Sequence, residues 1–246
     1  MKGGLSMKVV IETEKVSKQF GGLTAVNEVS MRVYEGEIVG LIGPNGAGKT
    51  TFLNALAGLN PPTSGIVKMF NQDTTGLSPD KMCRLGLSRT FQIPRPFPKL
   101  TVLENVKVAA IFGNRNLKDQ NPIELSRKML EYVEFPADEN IVSESLNTVQ
   151  LKRLDLARAL ASDPKMLFLD ELAAGLTEGE LTDIMNLIKK IRESGISILM
   201  VEHIMHLIMG LCDRLVCIQF GTKIAEGPTL DVAQDPKVTK AYLGGE

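Results

Sequence analysis

The residues of this sequence best suited to chemistry are three glycines, Gly43, Gly46 and Gly48, followed at once by Lys49 and Thr50. The stretch Gly43-Pro44-Asn45-Gly46-Ala47-Gly48-Lys49-Thr50 meets the phosphate-binding pattern GxxxxGK[ST] at every fixed position. Glycines there let the backbone turn sharply and bring successive N–H groups up to phosphate oxygens, where a Cβ would intrude. A helix opening at Lys49 adds about half a positive charge at its N-terminus, which favours an anion. Lys49 is therefore expected to reach the β- and γ-phosphates of a nucleoside triphosphate, and the Thr50 hydroxyl to ligate Mg²⁺. Asn45, Ala47 and Thr51 complete the expected nucleotide-binding positions of the loop.

A second set of groups lies at Lys165-Met166-Leu167-Phe168-Leu169-Asp170-Glu171, four apolar residues that end in two carboxylates. Alone, such a strand is common. In a chain that also carries a phosphate loop, Asp170 is expected to hold Mg²⁺ through water and Glu171 to orient or deprotonate the attacking water. His203 follows an apolar run in the same way, so it is either a packed or surface histidine or a group that reaches a γ-phosphate. Phe20, ahead of Gly21-Gly22, is either a core or hairpin aromatic or a ring on which a nucleotide base stacks.

These residues need elements to hold them. The run 38–42 reads as a buried parallel strand, and the segment after the loop as a helix that stops at Gly58. Residues 8–14, 29–33 and 66–70 read as further strands, and 79–86 as a short helix. Three prolines within 93–98 forbid regular helix and predict an extended loop. Helical periodicity over 102–110, 122–133 and 147–161 predicts a small helical subdomain between about 80 and 160. Beyond the acidic strand come helix 178–193, strand 196–202, helix 203–210, strands 214–219 and 222–226, and short helices. The pattern is α/β, with a mostly parallel sheet, covering helices and a ligand beyond the strands' carboxyl ends.

Composition narrows the choice. A net charge of −1 and the lack of a long basic run give no electrostatic footprint for DNA or RNA. No stretch approaches the roughly 20 apolar residues that cross a bilayer. The N-terminus lacks the apolar core of a cleavable signal, residues 1–6 are expected to be disordered, and a cytosolic location follows. Cys83, Cys212 and Cys217 show no metal-ligand spacing and read as reduced, mostly buried thiols. His203 and His206, with Glu202, make a poor zinc site.

Taken in order, FGGLTAVNEVS at 20–30, the loop at 43–50, RTFQ at 89–92, LTVLENV at 100–106, ARAL at 157–160, LFLDE at 167–171, VEHIM at 201–205, IAEG at 224–227 and DPKVTKAYLG at 235–244 resemble the ATP-binding subunits of ABC transporters. The resemblance covers essentially the whole chain and is closest to the subunits serving branched-chain amino acid importers. It implies a P-loop NTPase core over residues 7–246, with an antiparallel β subdomain near the N-terminus and the helical subdomain inserted. Phe20 then corresponds to the base-stacking aromatic, Gln92 to the glutamine that senses the γ-phosphate and Mg²⁺, and His203 to the switch histidine. ATP and Mg²⁺ would be sandwiched between this chain and a second ABC ATPase subunit, in a homodimer or heterodimer. A transmembrane permease would dock on the helical subdomain and its Gln92 loop, placing the chain peripherally on the cytoplasmic face of the membrane. Lipopolysaccharide export uses similar ATPases and is the runner-up, followed by an ATP-binding regulatory module with little turnover.

The chain departs from that pattern where such subunits meet. The family carries LSGGQ or close to it where this sequence has Leu146-Asn147-Thr148-Val149-Gln150. Asn147 can cap the following helix with Gln150 in capping-box position, and its amide can donate to the phosphate held opposite. Val149 narrows the space left by the family's glycine and is expected to disfavour a positive φ. Leu172 stands for the usual proline, and Thr177 for aspartate or asparagine.

Overall fold

The computed structural model describes residues 8–113 and 121–243, so the expectation for residues 1–6 lies outside the described residues. Two sheets organise the chain. Strands β1 (Val9–Phe20), β2 (Leu23–Tyr34), β4 (Ser64–Met69) and β5 (Gln72–Asp73) form an antiparallel sheet in the order β2-β1-β4-β5. Strands β3 (Ile38–Ile42), β6 (Leu87–Arg89), β7 (Met166–Asp170), β8 (Ser197–Val201), β9 (Arg214–Gln219) and β10 (Thr222–Pro228) form the second, ordered β10-β9-β3-β8-β7-β6. All its pairings are parallel except the β9–β10 hairpin at one edge. The α/β class and the mostly parallel sheet are as the sequence predicts, and the antiparallel sheet near the N-terminus is as the resemblance implies.

Alternate residues of the central strands explain why this sheet is covered on both faces. Val39, Leu41, Phe168, Leu199 and Val216 pack with the antiparallel sheet and with Phe52, Leu53 and Leu56 of helix α1 (Lys49–Leu56). Ile38, Ile42, Leu167, Leu169, Ile198 and Met200 face the opposite way, against helices α5 (Thr148–Ala161), α6 (Glu178–Glu193) and α7 (Met205–Leu211). Helix α2 (Pro79–Arg84) precedes β6. Helices α3 (Val102–Phe112) and α4 (Pro122–Tyr132) pack on α5, and α8 (Thr229–Ala233) and α9 (Pro236–Leu243) close the described chain.

The strand boundaries differ from the sequence expectation for a physical reason. β1 and β2 are each 12 residues long. Register shifts between Thr13 and Val16 and between Val16 and Lys18, with Lys15 and Glu28 both at φ 48°, break the two-residue alternation that would have revealed them. The three-residue strand β6 carries too short a pattern to be read from sequence. Helix α7 begins at Met205 rather than 203, so His203 lies on the connection leaving β8 and not on a helix.

Candidate active site

The phosphate loop leaves β3 in a shape that requires glycine at two positions. At Gly43, φ is 147° and a Cβ would lie 2.0 Å from the Ile218 carbonyl oxygen. At Gly48, φ is 101° and a Cβ would lie 2.3 Å from that of Ala25. The loop is tied to its surroundings through its backbone. Gly43 N–H donates to the Tyr242 phenol oxygen of α9 at 2.8 Å, and the Ala47 carbonyl accepts from Gly221 N–H at 2.9 Å. Lys49 is buried at 6% exposure and folds back, donating to the carbonyl oxygens of Gly43 at 2.7 Å and Pro44 at 3.0 Å. Burial pushes its pKa down, while Glu171 and Asp170 pull the other way.

The acids arrive from the neighbouring end of β7. Asp170 is the strand's last residue, and Glu171 turns into the left-handed region at φ 49°, its N–H held by the Val201 carbonyl at 2.9 Å. That turn sets the Glu171 carboxylate between two side chains from other segments. The Gln92 amide donates to Oε2 at 2.5 Å, and His203 Nε2 is 3.1 Å from Oε1, donating in the tautomer protonated there. Gln92, Glu171 and His203, remote in sequence, thus form one cluster.

Asp170 is placed differently. Its Oδ2 accepts from Arg89 Nη2 at 2.6 Å, with the two side chains only 2% and 6% exposed. Arg89 Nη1 also bonds Asn54 on α1. Asp170 Oδ1 is buried and has no hydrogen-bond partner among the described residues.

A cleft of about 520 Å³ is lined by Phe20, Leu23, residues 45–51 of the loop and α1, Glu171, His203 and Phe220. A second cleft of about 400 Å³, which shares Thr50 with the first, is lined by Asn54, Arg89, Gln92 and Asp170. Asn45, Gly46, Ala47, Gly48, Lys49, Thr50 and Thr51 therefore share a wall with Phe20, Glu171 and His203, whereas Gln92 and Asp170 face the adjoining space. Phe20 ends β1 as a hairpin aromatic, 47% exposed, with the Lys18 ammonium 5.1 Å from its ring centre. Asn147 and Val149 line neither cleft. They open α5, where Asn147 Oδ1 accepts from Gln150 N–H at 2.9 Å and Gln150 Oε1 accepts from Asn147 N–H at 3.0 Å. The expected backbone conflict at Val149 does not arise: the residue lies inside the first turn of α5 and is not among the described residues with positive φ. Only its bulk distinguishes it from glycine.

The sequence matches the family described as ABC transporter over residues 26–174, and that described as branched-chain amino acid ATP-binding cassette transporter over residues 222–246. The chain belongs to the ABC transporter ATP-binding family. Its relatives include the high-affinity branched-chain amino acid transport ATP-binding protein BraF of Pseudomonas aeruginosa, 36% identical with 96% of this chain and 98% of that protein covered. The corresponding protein LivG of Escherichia coli K12 is 37% identical, with 92% and 94% covered. A crystal structure of a nucleotide-free ATP-binding cassette from an ABC transporter superposes with a TM-score of 0.87 at 31% identity, covering 96% of this chain and 100% of that one. A dimeric post-hydrolysis cassette bound to ADP and Pi has a TM-score of 0.81 at 28% identity, with 89% and 98% covered.

In this ABC-type ATPase the loop after Glu171 is gripped by two buried charges. Lys152 of α5, its pKa lowered by burial, donates to the Leu172 carbonyl at 2.6 Å and also to that of Ala174. Glu202 Oε1 accepts from Ala173 N–H at 2.9 Å. Thr177 caps α6 reciprocally with Glu180, which accounts for a small polar residue there. Burial pushes the Glu202 carboxyl above its ordinary value of 4.5, against the opposing pull of the Ala173 bond and Lys152. Above that ordinary value, and up to the raised one, the folded chain binds more protons than the unfolded chain at this group. Stability contributed there falls as pH rises through the interval. Glu202→Gln keeps an oxygen for Ala173 N–H and removes the charge, so denaturant midpoints measured from about pH 4.5 upward should show a flatter decline than the parent. Parallel profiles would show that Glu202 does not carry the slope.

Arg89, Phe220 and Tyr242 were not singled out as site residues from sequence. Arg89 stood within RTFQ without a role, and nothing local marks Tyr242 as a partner of a loop about 200 positions earlier. Phe220 has one readable signal, a bulky residue directly before Gly221 in a two-residue turn.

Proposed function

We propose that the chain binds ATP with Mg²⁺, hydrolyses it, and so powers the import of branched-chain amino acids. The observation that carries the chemistry is the Glu171 carboxylate, held by Gln92 and His203 at the side of a cleft walled by the phosphate loop. Triphosphate binding draws Lys49 off the Gly43 and Pro44 carbonyls to the β- and γ-phosphates. Loop N–H groups from Asn45 to Thr50 bind the same oxygens, and Phe20 takes the base. Glu171 then accepts a proton from the attacking water as His203 contacts the γ-phosphate. Mg²⁺ fits the remaining donors: the Thr50 hydroxyl, the Gln92 amide oxygen and the unpartnered Asp170 Oδ1, hard oxygens suited to a hard cation. When bound, the cation supplies neutralisation of the charge developing on the phosphoryl oxygens.

The import reading draws on the names of the relatives, and on the separate match of residues 222–246. No helix among the described residues is long and apolar enough to cross a membrane, so passage of cargo falls to a partner. We assign residues 80–160 the role of an inserted subdomain that receives a permease. A groove of about 310 Å³, lined by Leu59, Phe91, Phe97 and Phe112 with Arg89 and Arg158, offers an apolar floor for a cytoplasmic segment of such a permease. In this reading the chain sits peripherally on the cytoplasmic face of a membrane.

Residues 43–50 and 170–171 keep this chain's own site intact, while Asn147, Thr148 and Val149 alter what it offers a second subunit. This asymmetry supports a heterodimer in which the partner supplies the unaltered signature. ATPase assays with Glu171→Gln here, set against the equivalent change in the copurified partner, should show the larger loss from the change here. Equal losses, or full activity of this chain alone as a homodimer, would refute the asymmetry.

A further inference from the structure

The connection between β9 and β10 breaks a local rule. Gln219 pairs with Thr222, so Phe220-Gly221 is a two-residue hairpin loop, and both residues have positive φ, 48° and 76°. Such turns favour Asn, Asp or Gly first, because a bulky side chain at positive φ is strained. The β4–β5 hairpin has the same form, with Phe70 at φ 50° and Asn71 at 62°. There the ring has partners: Lys8 and Lys165 place their ammonium groups 5.9 Å and 5.7 Å from its centre. Phe220 is 84% exposed, the most exposed of the large hydrophobic side chains among the described residues. A strained backbone that displays a bare aromatic ring points to a ligand rather than to packing.

The turn adjoins the nucleotide cleft. Phe220 lines it with Phe20 and Leu23. Gly221 fixes the turn there: its N–H donates to the Ala47 carbonyl of the phosphate loop at 2.9 Å, and its carbonyl accepts from Asn27 N–H of β2 at 2.8 Å. A Cβ on Gly221 would lie 2.8 Å from the Ala25 carbonyl oxygen, so the turn has little room to move away.

Resting on the reading that this cleft holds ATP, we propose that Phe220 is a second aromatic wall of the base site. The purine of the bound nucleotide is met both by the turn at 220–221 and by the hairpin at 20–23. The strain at Phe220 is maintained because the ring is useful when a planar, apolar face covers it. Base–aromatic contacts of this kind tolerate any base, since each has a π-face.

The test separates base from phosphate. Calorimetric titration of the full chain with Mg²⁺-ATP and with inorganic tripolyphosphate and Mg²⁺ would be run on the parent, Phe220→Ala and Phe220→Asn. Both variants should bind ATP about tenfold more weakly and tripolyphosphate as the parent does. Phe220→Asn, which suits the turn, should melt no lower than the parent. Unchanged ATP affinity would overturn the proposal, as would an equal loss for both ligands, which would make the turn a support of the phosphate loop. Variants that bind ATP normally but pair less well with a second subunit would also overturn it, assigning the ring to that interface. A parent chain that binds neither ligand would instead sink the ATP reading on which the proposal rests.

Discussion

Glu171→Gln should leave ATP binding within about threefold of the parent and cut turnover by at least about 100-fold, the low end of what a positioned general base contributes. The two effects separate because Glu171 does not hold the phosphates. Binding is the work of Lys49, loop N–H groups and the N-terminus of α1, none of which bonds Glu171 among the described residues. Glutamine keeps the size of the side chain and one oxygen for the Gln92 amide. It cannot take a proton from water. The left-handed backbone at φ 49° and the bond from Glu171 N–H to Val201 are the same for either side chain, so the variant should fold. Lys49→Ala gives the complementary outcome, weak binding of nucleotide at any concentration of Mg²⁺. Nucleotide titration beside phosphate release checks both. Hydrolysis by Glu171→Gln at the parent rate would mean that another group deprotonates the water and that the cluster with Gln92 and His203 only positions the loop.

The contrast between what the sequence displays and what it conceals follows chain distance. Residues 43–50 are contiguous, and their glycines, lysine and threonine announce a local shape whatever surrounds them. The strand ending at Asp170 is similarly self-contained, because burial on both faces makes it apolar up to its acids. Helix 178–193 matches its predicted bounds because its polar and apolar faces alternate cleanly and Thr177 with Glu180 marks the start. Pairings between segments left no such trace. Arg89 to Asp170 joins neighbouring strands, whereas Tyr242 to Gly43 and Lys152 to Leu172 each join a helix to a loop, and all three pairs meet only through the tertiary fold. The irregular hairpin of β1 and β2 was half visible for the opposite reason, since bulges scramble the alternation on which a reading of strands depends. At Val149 the expected backbone penalty does not arise, because a glycine at the start of a helix need not sit at positive φ. Here the position is ordinary helix.

Arg89→Met should destabilise the fold by about 3–5 kcal/mol, the usual cost of stripping one partner from a buried ion pair. Asp170 is 2% exposed, its Oδ1 already lacks a partner among the described residues, and Arg89 supplies the hydrogen bond to Oδ2. Without the guanidinium the carboxylate keeps the cost of desolvation and loses the charge that offsets it. Methionine fills much of the same volume, so cavity formation is a minor part of the expected loss. Asn54 adds a second consequence: Arg89 bonds it on α1, the helix that begins with Lys49 and Thr50, so one side chain links β6, β7 and the helix behind the phosphate loop. Replacing both partners, Arg89→Met with Asp170→Asn, should recover part of the loss, giving a coupling above about 1 kcal/mol in a double-mutant cycle. Denaturant unfolding without nucleotide measures all four corners of that cycle. A single-variant cost below about 1 kcal/mol, or strictly additive losses, would mean that water rather than Arg89 satisfies Asp170, and that the carboxylate stands ready for Mg²⁺ without help from β6.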